Sequence, residues 1–587
     1  MDDTAKAAPR IVDTRVLTIS ALAVAAALGI GVVAQGLLAL IRFVTNVSFY
    51  GRFSVADASP AGNHLGLWIL AVPVLGGVVV GLMARYGSKA IRGHGIPEAM
   101  EQVLTNKSRV PARLTILKPL SAAVAIGTGG PFGAEGPIIA TGGAFGSLAG
   151  QLFHTTAVER KTLLAAGAAA GMAATFGSPI SAVILAVELL LFEFHPRSLI
   201  PVALASAAAA GVRMLFVGAA PMFPMDGVAS FPARALMGYA VLGAVVGACA
   251  VGATRIVYLV EDLFDRLPVH WMWAPAIGGV AVGVFGWFNP RTLGVGYGNI
   301  TDVLTGTVAG RAAISLCVLK FLSWAISLGS GTSGGTLAPL FTIGGALGSA
   351  LAAAGAWLAP GLGLDPRMGA FVGMAAIFTG ASRALLASVV FALETTWQPL
   401  GIAPLLGGCA AAYLVSALFM SHTIMTEKIA RRGVHVPQGY AADPLERMRV
   451  SEAASSPVIT LPAAQTVEQA RLWIESGAEG SGHQGFPVVD SGGGVIGMLA
   501  RRDIGDRRHD PQKRLGELAK SKPAVAFSDD TLVHAARLMM RLGVGRLPVV
   551  ERSAPSKPVA ILTRGDILAA EAREFEDHHR AERSLSL

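Results

Sequence analysis

The sequence predicts an all-α polytopic membrane protein with an internal repeat, followed by a small soluble α/β pair. Apolar residues make up 53% of the 587 positions and charged residues 14%, with a mean hydropathy of +0.57, which contradicts a wholly soluble chain. Charge is also uneven. Residues 1–440 hold 27 Lys+Arg against 18 Asp+Glu, whereas 441–587 hold 20 of each, so the apolar part carries the whole formal charge of +9. Positive charge that flanks apolar spans argues for a lipid bilayer and against nucleic acid as the partner. The third observation is a self-match at a constant offset of 202 residues.

The elements follow in order. Residues 1–15 mix Asp2 and Asp3 with Lys6, Arg10 and Arg15, and Val16 to Ile41 is uncharged, which suits a first spanning helix with its basic leader in the cytoplasm. Uncharged runs at 162–187, 235–254, 267–290, 321–364 and 395–426 are each long enough for a hydrocarbon core of about 30 Å. Shorter runs at 119–134, 198–212 and 368–382 read as broken or re-entrant helices buried in protein, because irregular backbone cannot face lipid. Cys249, Cys317 and Cys409 lie singly in apolar stretches and read as small core residues, with no disulfide framework and no metal site.

Within the membrane part, Gly171 to Phe176 recurs as Gly373 to Phe378, and Gly127 to Ser147 aligns without gaps on Gly329 to Ser349 with nine identities. Glu188 and Glu394 close comparable apolar stretches. Duplication of this kind places a transport site where the two halves meet. Each half has a Gly/Pro turn that opens a helix, Gly133-Ala134-Glu135-Gly136-Pro137 and Gly334-Gly335-Thr336-Leu337-Ala338-Pro339. Further upstream lie Gly93-His94-Gly95-Ile96-Pro97 and, more weakly, Gly296-Tyr297-Gly298-Asn299-Ile300. Such turns leave N–H groups and the positive end of a helix dipole free for an anion, without a full charge that would hold it too tightly.

Glu135 is the only acid between Glu101 and Glu159, and its counterpart at the 202 offset is Leu337. A carboxylate beside an anion site occupies that site when ionised and vacates it when protonated. An acid at a helix start also favours the dipole without any further role, but intramembrane acids are functional by default.

Gly93 to Pro97, Gly133 to Pro137 and Gly334 to Pro339 resemble the three signature segments of the CLC family of chloride channels and chloride/proton exchangers, in the same order and on a duplicated frame. The resemblance implies an all-α polytopic fold with an inverted internal repeat and a homodimer in which each subunit has its own anion pathway. It places Glu135 as the gating and proton-carrying glutamate, and His94, Gly95, Ile96, Gly133, Gly136, Thr336, Leu337 and Met425 around the anion. The implied substrate is chloride or a similar small anion, with H+ as a second one. The implied setting is a bacterial inner or plasma membrane, and the resemblance implies a transport protein and no enzyme.

The departures from the family pattern are informative. His94 stands where a Ser hydroxyl is usual, and Met425 where a Tyr hydroxyl is usual. His94 either donates to the anion from a ring nitrogen or turns away and leaves the site to amides. Ala134 replaces a residue that is often basic. Leu189 stands where exchangers usually carry an inner glutamate, which implies weak or absent proton coupling; the alternative is an exchanger preferring nitrate, bicarbonate or fluoride. Glu188 reads as a structural residue at a helix end. Lys118, isolated 17 residues before Glu135, either raises the local potential or snorkels to the surface.

Beyond Arg431-Arg432 the periodicity changes. Phe486 to Asp490, Val495 to Leu499 and Arg502-Asp503-Ile504 recur as Leu547 to Val550, Val559 to Leu562 and Gly565-Asp566-Ile567, short strands alternating with helices. The pattern is similar to a cytoplasmic tandem pair of CBS domains. No cofactor is required, but the resemblance leaves the pair open to an adenine nucleotide at Asp503, Thr563 and Asp566, residues that equally serve as helix caps. The expected domains are 1–15 (N-terminal segment), 16–435 (membrane part, repeats about 16–220 and 235–430), 436–446 (linker), 447–508 and 515–574 (CBS modules) and 575–587 (polar tail). A CBS-bearing cation transporter is the remote alternative, disfavoured because cations need several oxygen ligands.

Overall fold

The structure is a computed structural model that describes residues 14–579 apart from 226, 228, 229, 435, 438–444, 446, 447 and 520–523. Most of the expected N-terminal segment, linker and polar tail therefore lies outside the described residues. The chain divides into a unit ending at Val436 and a second unit from Pro437 to Arg580.

The first unit is built from two sets of eight helices. The first set is α1 (Thr14–Thr45), α2 (Ala71–Tyr86), α3 (Ile96–Thr105), α4 (Leu114–Gly127), α5 (Glu135–Leu152), α6 (Ala157–Phe176), α7 (Pro179–Ala186) and α8 (Pro196–Val217). The second is α9 (Ala235–Asp265), α10 (Ala274–Phe288), α11 (Tyr297–Leu304), α12 (Gly310–Gly329), α13 (Leu337–Leu358), α14 (Pro366–Ser382), α15 (Leu385–Thr396) and α16 (Ile402–Phe419), and a short α17 (Glu427–Arg431) follows. Among the described residues eight helices are long and apolar enough to cross a membrane. The long helix α1 ends on the face where α2 begins. Its counterpart α9 ends instead beside the end of α2, where Glu261 pairs with Lys428 at 3.4 Å, so the two sets run in opposite directions.

Burial sorts the helices into inner and outer ones. In α6, 17 of 20 residues are buried, and in α14, 15 of 17, so these two do not face lipid. Three runs differ from the sequence expectation. Run 162–187 is two helices, because Gly177 adopts the left-handed conformation (φ +68°) and Ser178-Pro179 restarts the chain as α7. Run 198–212 is the middle of the continuous 22-residue α8, whose Arg213 satisfies itself on the Gly218 carbonyl at 3.1 Å and so prolongs the helix past the uncharged stretch. Run 368–382 is unbroken and short because it is enclosed. Run 119–134 does break, after Gly127.

The repeated glycines are packing requirements. A Cβ on Gly142 would lie 2.2 Å from the Gly167 carbonyl oxygen, and one on its repeat partner Gly344 would lie 2.4 Å from that of Gly373. The helix pairs α5/α6 and α13/α14 therefore touch backbone to backbone. The repeats also clasp each other at helix ends. Glu188, just beyond α7, accepts the N–H groups of Leu386 and Ala387 at the start of α15, both at 3.1 Å. Glu394, near the end of α15, accepts those of Ile180 and Ser181 at the start of α7, at 2.9 and 2.8 Å. Glu188 thus satisfies N–H groups that have no acceptor within their own helix.

The second unit holds two three-stranded sheets of one topology. Strand β1 (Leu461–Pro462) lies parallel to β2 (Gly485–Val489), which pairs antiparallel with β3 (Val495–Ala500). Strands β4 (Ala526–Phe527), β5 (Arg546–Glu551) and β6 (Ala554–Thr563) repeat the order. The closing helices are exchanged. Val450 and Ala453 pack in the core under the second sheet, whereas Leu515 packs under the first.

Gly142→Val is expected to lower the melting temperature of the purified protein in detergent, at a cost exceeding the roughly 1–3 kcal/mol of ordinary overpacking because the clash is with backbone. Gly211→Ala on α8, where a Cβ meets nothing within 4 Å, is expected to leave it unchanged or slightly raised. Intrinsic tryptophan fluorescence against temperature checks both.

Candidate functional site

Three turns far apart in sequence meet back to back. Gly133 and Gly335 exchange hydrogen bonds in both directions, Gly133 N–H to Gly335 O at 3.2 Å and Gly335 N–H to Gly133 O at 2.9 Å. Gly334 N–H donates to Gly93 O at 3.4 Å. The turns before α3, α5 and α13 thereby form one hub. Each of these helices carries a proline in its first three positions, and their opening N–H groups have no acceptor within the helix. Three positive dipole ends are gathered at one buried place.

The hub requires backbone without side chains. A Cβ at Gly133 would fall 1.6 Å from Glu135 Oε2, and one at Gly136 would fall 1.9 Å from the His94 carbonyl oxygen. Glycine lets the Glu135 carboxylate fold back over its own turn. That side chain is 1% exposed. The Tyr297 hydroxyl donates to Glu135 Oε1 at 3.3 Å, and the N–H groups of Glu135 and Ala338 point at the same carboxylate. Among the described residues Glu135 Oε2, His94 Nδ1 and Thr336 Oγ1 are buried without a hydrogen-bond partner. Leaving such an atom unpaired costs about 1–3 kcal/mol. Other buried side-chain atoms among the described residues also lack a partner, but these three stand one on each of the touching turns.

The candidate residues His94, Gly95, Ile96, Gly133, Glu135, Gly136, Thr336 and Leu337 all belong to these turns. Their availability differs. Gly95 N–H is already taken by Glu98 Oε2 at 2.6 Å, so the first turn offers Ile96 N–H and the His94 ring instead. Met425 is fully buried just ahead of α17, which packs on α3.

Two lysines brace the hub, and only one was evident from the sequence. Lys118 does not snorkel: it is 3% exposed and donates to the carbonyls of Ile91 and Gly93 at 2.8 and 2.9 Å. Lys320, its counterpart at the same 202 offset, is wholly buried and donates to Thr292 and Gly294 at 2.9 and 2.8 Å. The lysine pair sets the register of the fourth turn. Gly93 and Gly95 match Gly294 and Gly296, not Gly296 and Gly298 as the sequence suggested, so Tyr297 occupies the place of Ile96. The charge of Lys320 acts on Glu135. Tyr297 and Lys320 are thus functional candidates that the sequence reading missed, although the constant offset pointed to the second.

Two cavities of about 590 Å³ each lie on opposite faces of this unit. One, where α2 and α9 end, is lined by Lys89, Arg92, Glu98, Lys118, Glu261 and Lys428 among others. The other, where α1 and α8 end, is lined by Arg42, Asp57, Arg213 and Tyr297 among others. Lys118 ties the first cavity to the hub, and Tyr297 ties the second. Tyr297 belongs to a cluster of rings: Phe176 lies edge-on to Tyr297 at 5.9 Å and to Phe391 at 5.0 Å, and Phe391 contacts Phe341 at 5.1 Å.

In the second unit a cavity of about 600 Å³ lies between the two sheets, lined by Thr563, Asp566, His483, Arg546 and Arg564 among others. Asp566 Oδ2 accepts from Thr563 N–H and Oγ1, both at 2.8 Å, as a helix cap, and Oδ1 accepts from Ser455 at 3.4 Å. Asp503 caps its own helix through Ala500 N–H at 3.1 Å and does not line this cavity.

Comparison with known proteins agrees with this architecture. Residues 76–417 match the family described as "Voltage gated chloride channel", and residues 450–508 and 515–573 match "CBS domain". The chain is 29% identical over 385 residues to "H(+)/Cl(-) exchange transporter ClcA" of Vibrio campbellii, covering 64% of this chain and 82% of that one. With the protein of the same name from Salmonella arizonae the identity is 28% over 411 residues, covering 67% and 84%. Among solved structures, a slow cyanobacterial Cl-/H+ antiporter matches with a TM-score of 0.64 at 24% identity, over 72% of this chain and 98% of that one. A eukaryotic CLC transporter matches with a TM-score of 0.59 at 22% identity, over 94% and 97%. The family match alone spans more than half of the chain: this is a multi-pass membrane protein of the voltage-gated chloride channel family, an anion transporter with two CBS domains after its membrane part.

Proposed function

We propose that the protein conducts chloride or a similar small anion between the two cavities through the three-turn hub, with Glu135 as its gate. The observation that carries this reading is the set of unpartnered buried atoms on His94, Glu135 and Thr336, one on each converging turn. Ionised, the Glu135 carboxylate fills the place where dipole ends and amides await an anion. Protonated, it no longer competes for them and leaves. The hub offers dipoles and hydroxyls at close range, and Lys320 stays committed to backbone carbonyls, so an anion is stabilised without being trapped. His94 supplies a ring N–H where the family usually has a hydroxyl.

Proton coupling is weak or absent in this reading. Leu189, where an inner acid is usual, is buried, and both oxygens of the neighbouring Glu188 are engaged by the start of α15. The names of the relatives favour a second reading, stoichiometric anion/proton exchange. The face where α2 and α9 end carries Arg85, Lys89, Arg92, Lys428, Arg431 and Arg432 and is assigned to the cytoplasm, as positive charge near span ends implies. The CBS pair then lies in the cytoplasm and takes an adenine nucleotide in the cavity at Thr563 and Asp566, with Arg546 and Arg564 beside the phosphates. Family membership supports a homodimer with one pathway per subunit, in a bacterial inner or plasma membrane.

Glu135→Gln imitates the protonated carboxyl. A hydrogen bond to a charged group is worth about 1.5–3 kcal/mol, so chloride efflux from proteoliposomes near neutral pH is expected to rise roughly tenfold. Because deprotonation closes the gate, wild-type flux should fall as pH rises and the variant's flux should not. A variant that keeps the wild-type pH dependence rules out the gate.

His94→Ser exchanges an imidazole donor for a hydroxyl and is expected to reorder the permeabilities of chloride, nitrate, bicarbonate and fluoride. Identical orders in both proteins would make His94 a packing residue.

For coupling, a fixed chloride gradient across proteoliposomes is expected to drive little or no uphill proton movement, followed with a pH-sensitive dye. A constant proton-to-anion ratio would establish the exchanger reading instead.

A further inference from the structure

Both side-chain hydroxyls that the family pattern places around the anion are replaced in this chain, by His94 and Met425. The fourth turn brings a different hydroxyl to the same place. Tyr297 is the first residue of α11, and the turn before it is fixed by Lys320 in the way Lys118 fixes the turn before α3. Its phenol reaches Glu135 Oε1 at 3.3 Å, and its ring is held by Phe176 and Phe223, each 5.9 Å away centroid to centroid. The same residue lines the cavity that holds Arg42 and Arg213. An anion arriving from that cavity therefore meets Tyr297 on its way to the carboxylate.

We infer that the Tyr297 hydroxyl is the anion-coordinating donor on this side of the hub, bonded to the Glu135 carboxylate while the gate is closed and to the permeating anion once the carboxylate has left. The inference rests on the gate reading of Glu135 and adds a named ligand to it. A phenol has one proton to donate, and in the closed state that proton is spent on Oε1. Departure of the carboxylate would leave the hydroxyl unpaired beside the free amides of the hub, and a halide takes its place with no rearrangement of the ring. The donor thus comes from the second repeat, at the position where the first repeat has Ile96.

The test separates the donor from the gate by working with the gate removed. In the Glu135→Gln background, adding Tyr297→Phe keeps the ring between Phe176 and Phe223 and deletes only the hydroxyl. The chloride concentration at half-maximal flux in proteoliposomes is expected to rise about tenfold, the scale of one hydrogen bond to an ion. In the same background, Tyr297→3-fluorotyrosine, a stronger donor of nearly the same shape, is expected to lower it. A side chain that merely packs would move neither value in this opposed way. An unchanged half-saturation in both variants overturns the inference and leaves the gate intact. Wild-type pH dependence in the Glu135→Gln protein itself overturns the gate, and with it the exchange of partners at Tyr297. If the Phe variant is not monodisperse by size-exclusion chromatography, the fluorotyrosine arm decides alone: a lowered value supports the inference and an unchanged one overturns it.

Discussion

The paired hydrogen bonds between Gly133 and Gly335 are the contact on which the rest of the membrane unit depends. They join one repeat to the other through backbone alone, at the point where each chain is about to enter a helix. Had either position carried a side chain, the turns would stand apart and the dipole ends of α5 and α13 would no longer share a focus. The lysines, the glutamate clasps and the glycine seams between helices all serve to keep that pair in place. Lys118 and Lys320 hold the neighbouring turns through carbonyls, and Glu188 and Glu394 tie helix starts across the repeat boundary.

This arrangement explains why the site is poor in charged side chains. Partial charges on amides are fixed by the fold and need no counter-ion, whereas a free ammonium in the same place would have to be desolvated and would bind its anion too long. The two buried lysines are turned toward the backbone instead, each spending two of its three donors on carbonyl oxygens. Glu135 is the exception that the surroundings accommodate: a buried carboxyl folded over its own turn, among dipoles that equally suit an anion.

Much of this could be read in the sequence, and the limits were physical. The duplication, the three signature turns and the lone acid were visible because glycine, proline and charge are rare enough in apolar helices to mark positions. The break at Gly177 was not visible, since apolarity continues through it, and α8 looked short because Arg213 interrupts its uncharged run while hydrogen-bonding to its own helix end. Gly296 and Gly298 imitate the spacing of Gly93 and Gly95, which shifts the apparent fourth turn by two residues in the sequence. Only the acceptors of Lys320 reveal the true register. Similarly, Asp503 and Asp566 look equivalent in sequence, yet only the second borders the cavity between the sheets.

In the soluble unit each sheet is closed by a helix that belongs, by chain order, with the other. The segment around Val450 bonds to Asp530 and lies under the second sheet, and Leu515 bonds to Gln465 under the first. Neither module is a severable bead on a string. A cut between 508 and 515 would take from each core a piece of its own hydrophobic floor, so the pair melts or persists as one cooperative body. Whatever tightens the cavity between the sheets is therefore felt in both modules at once.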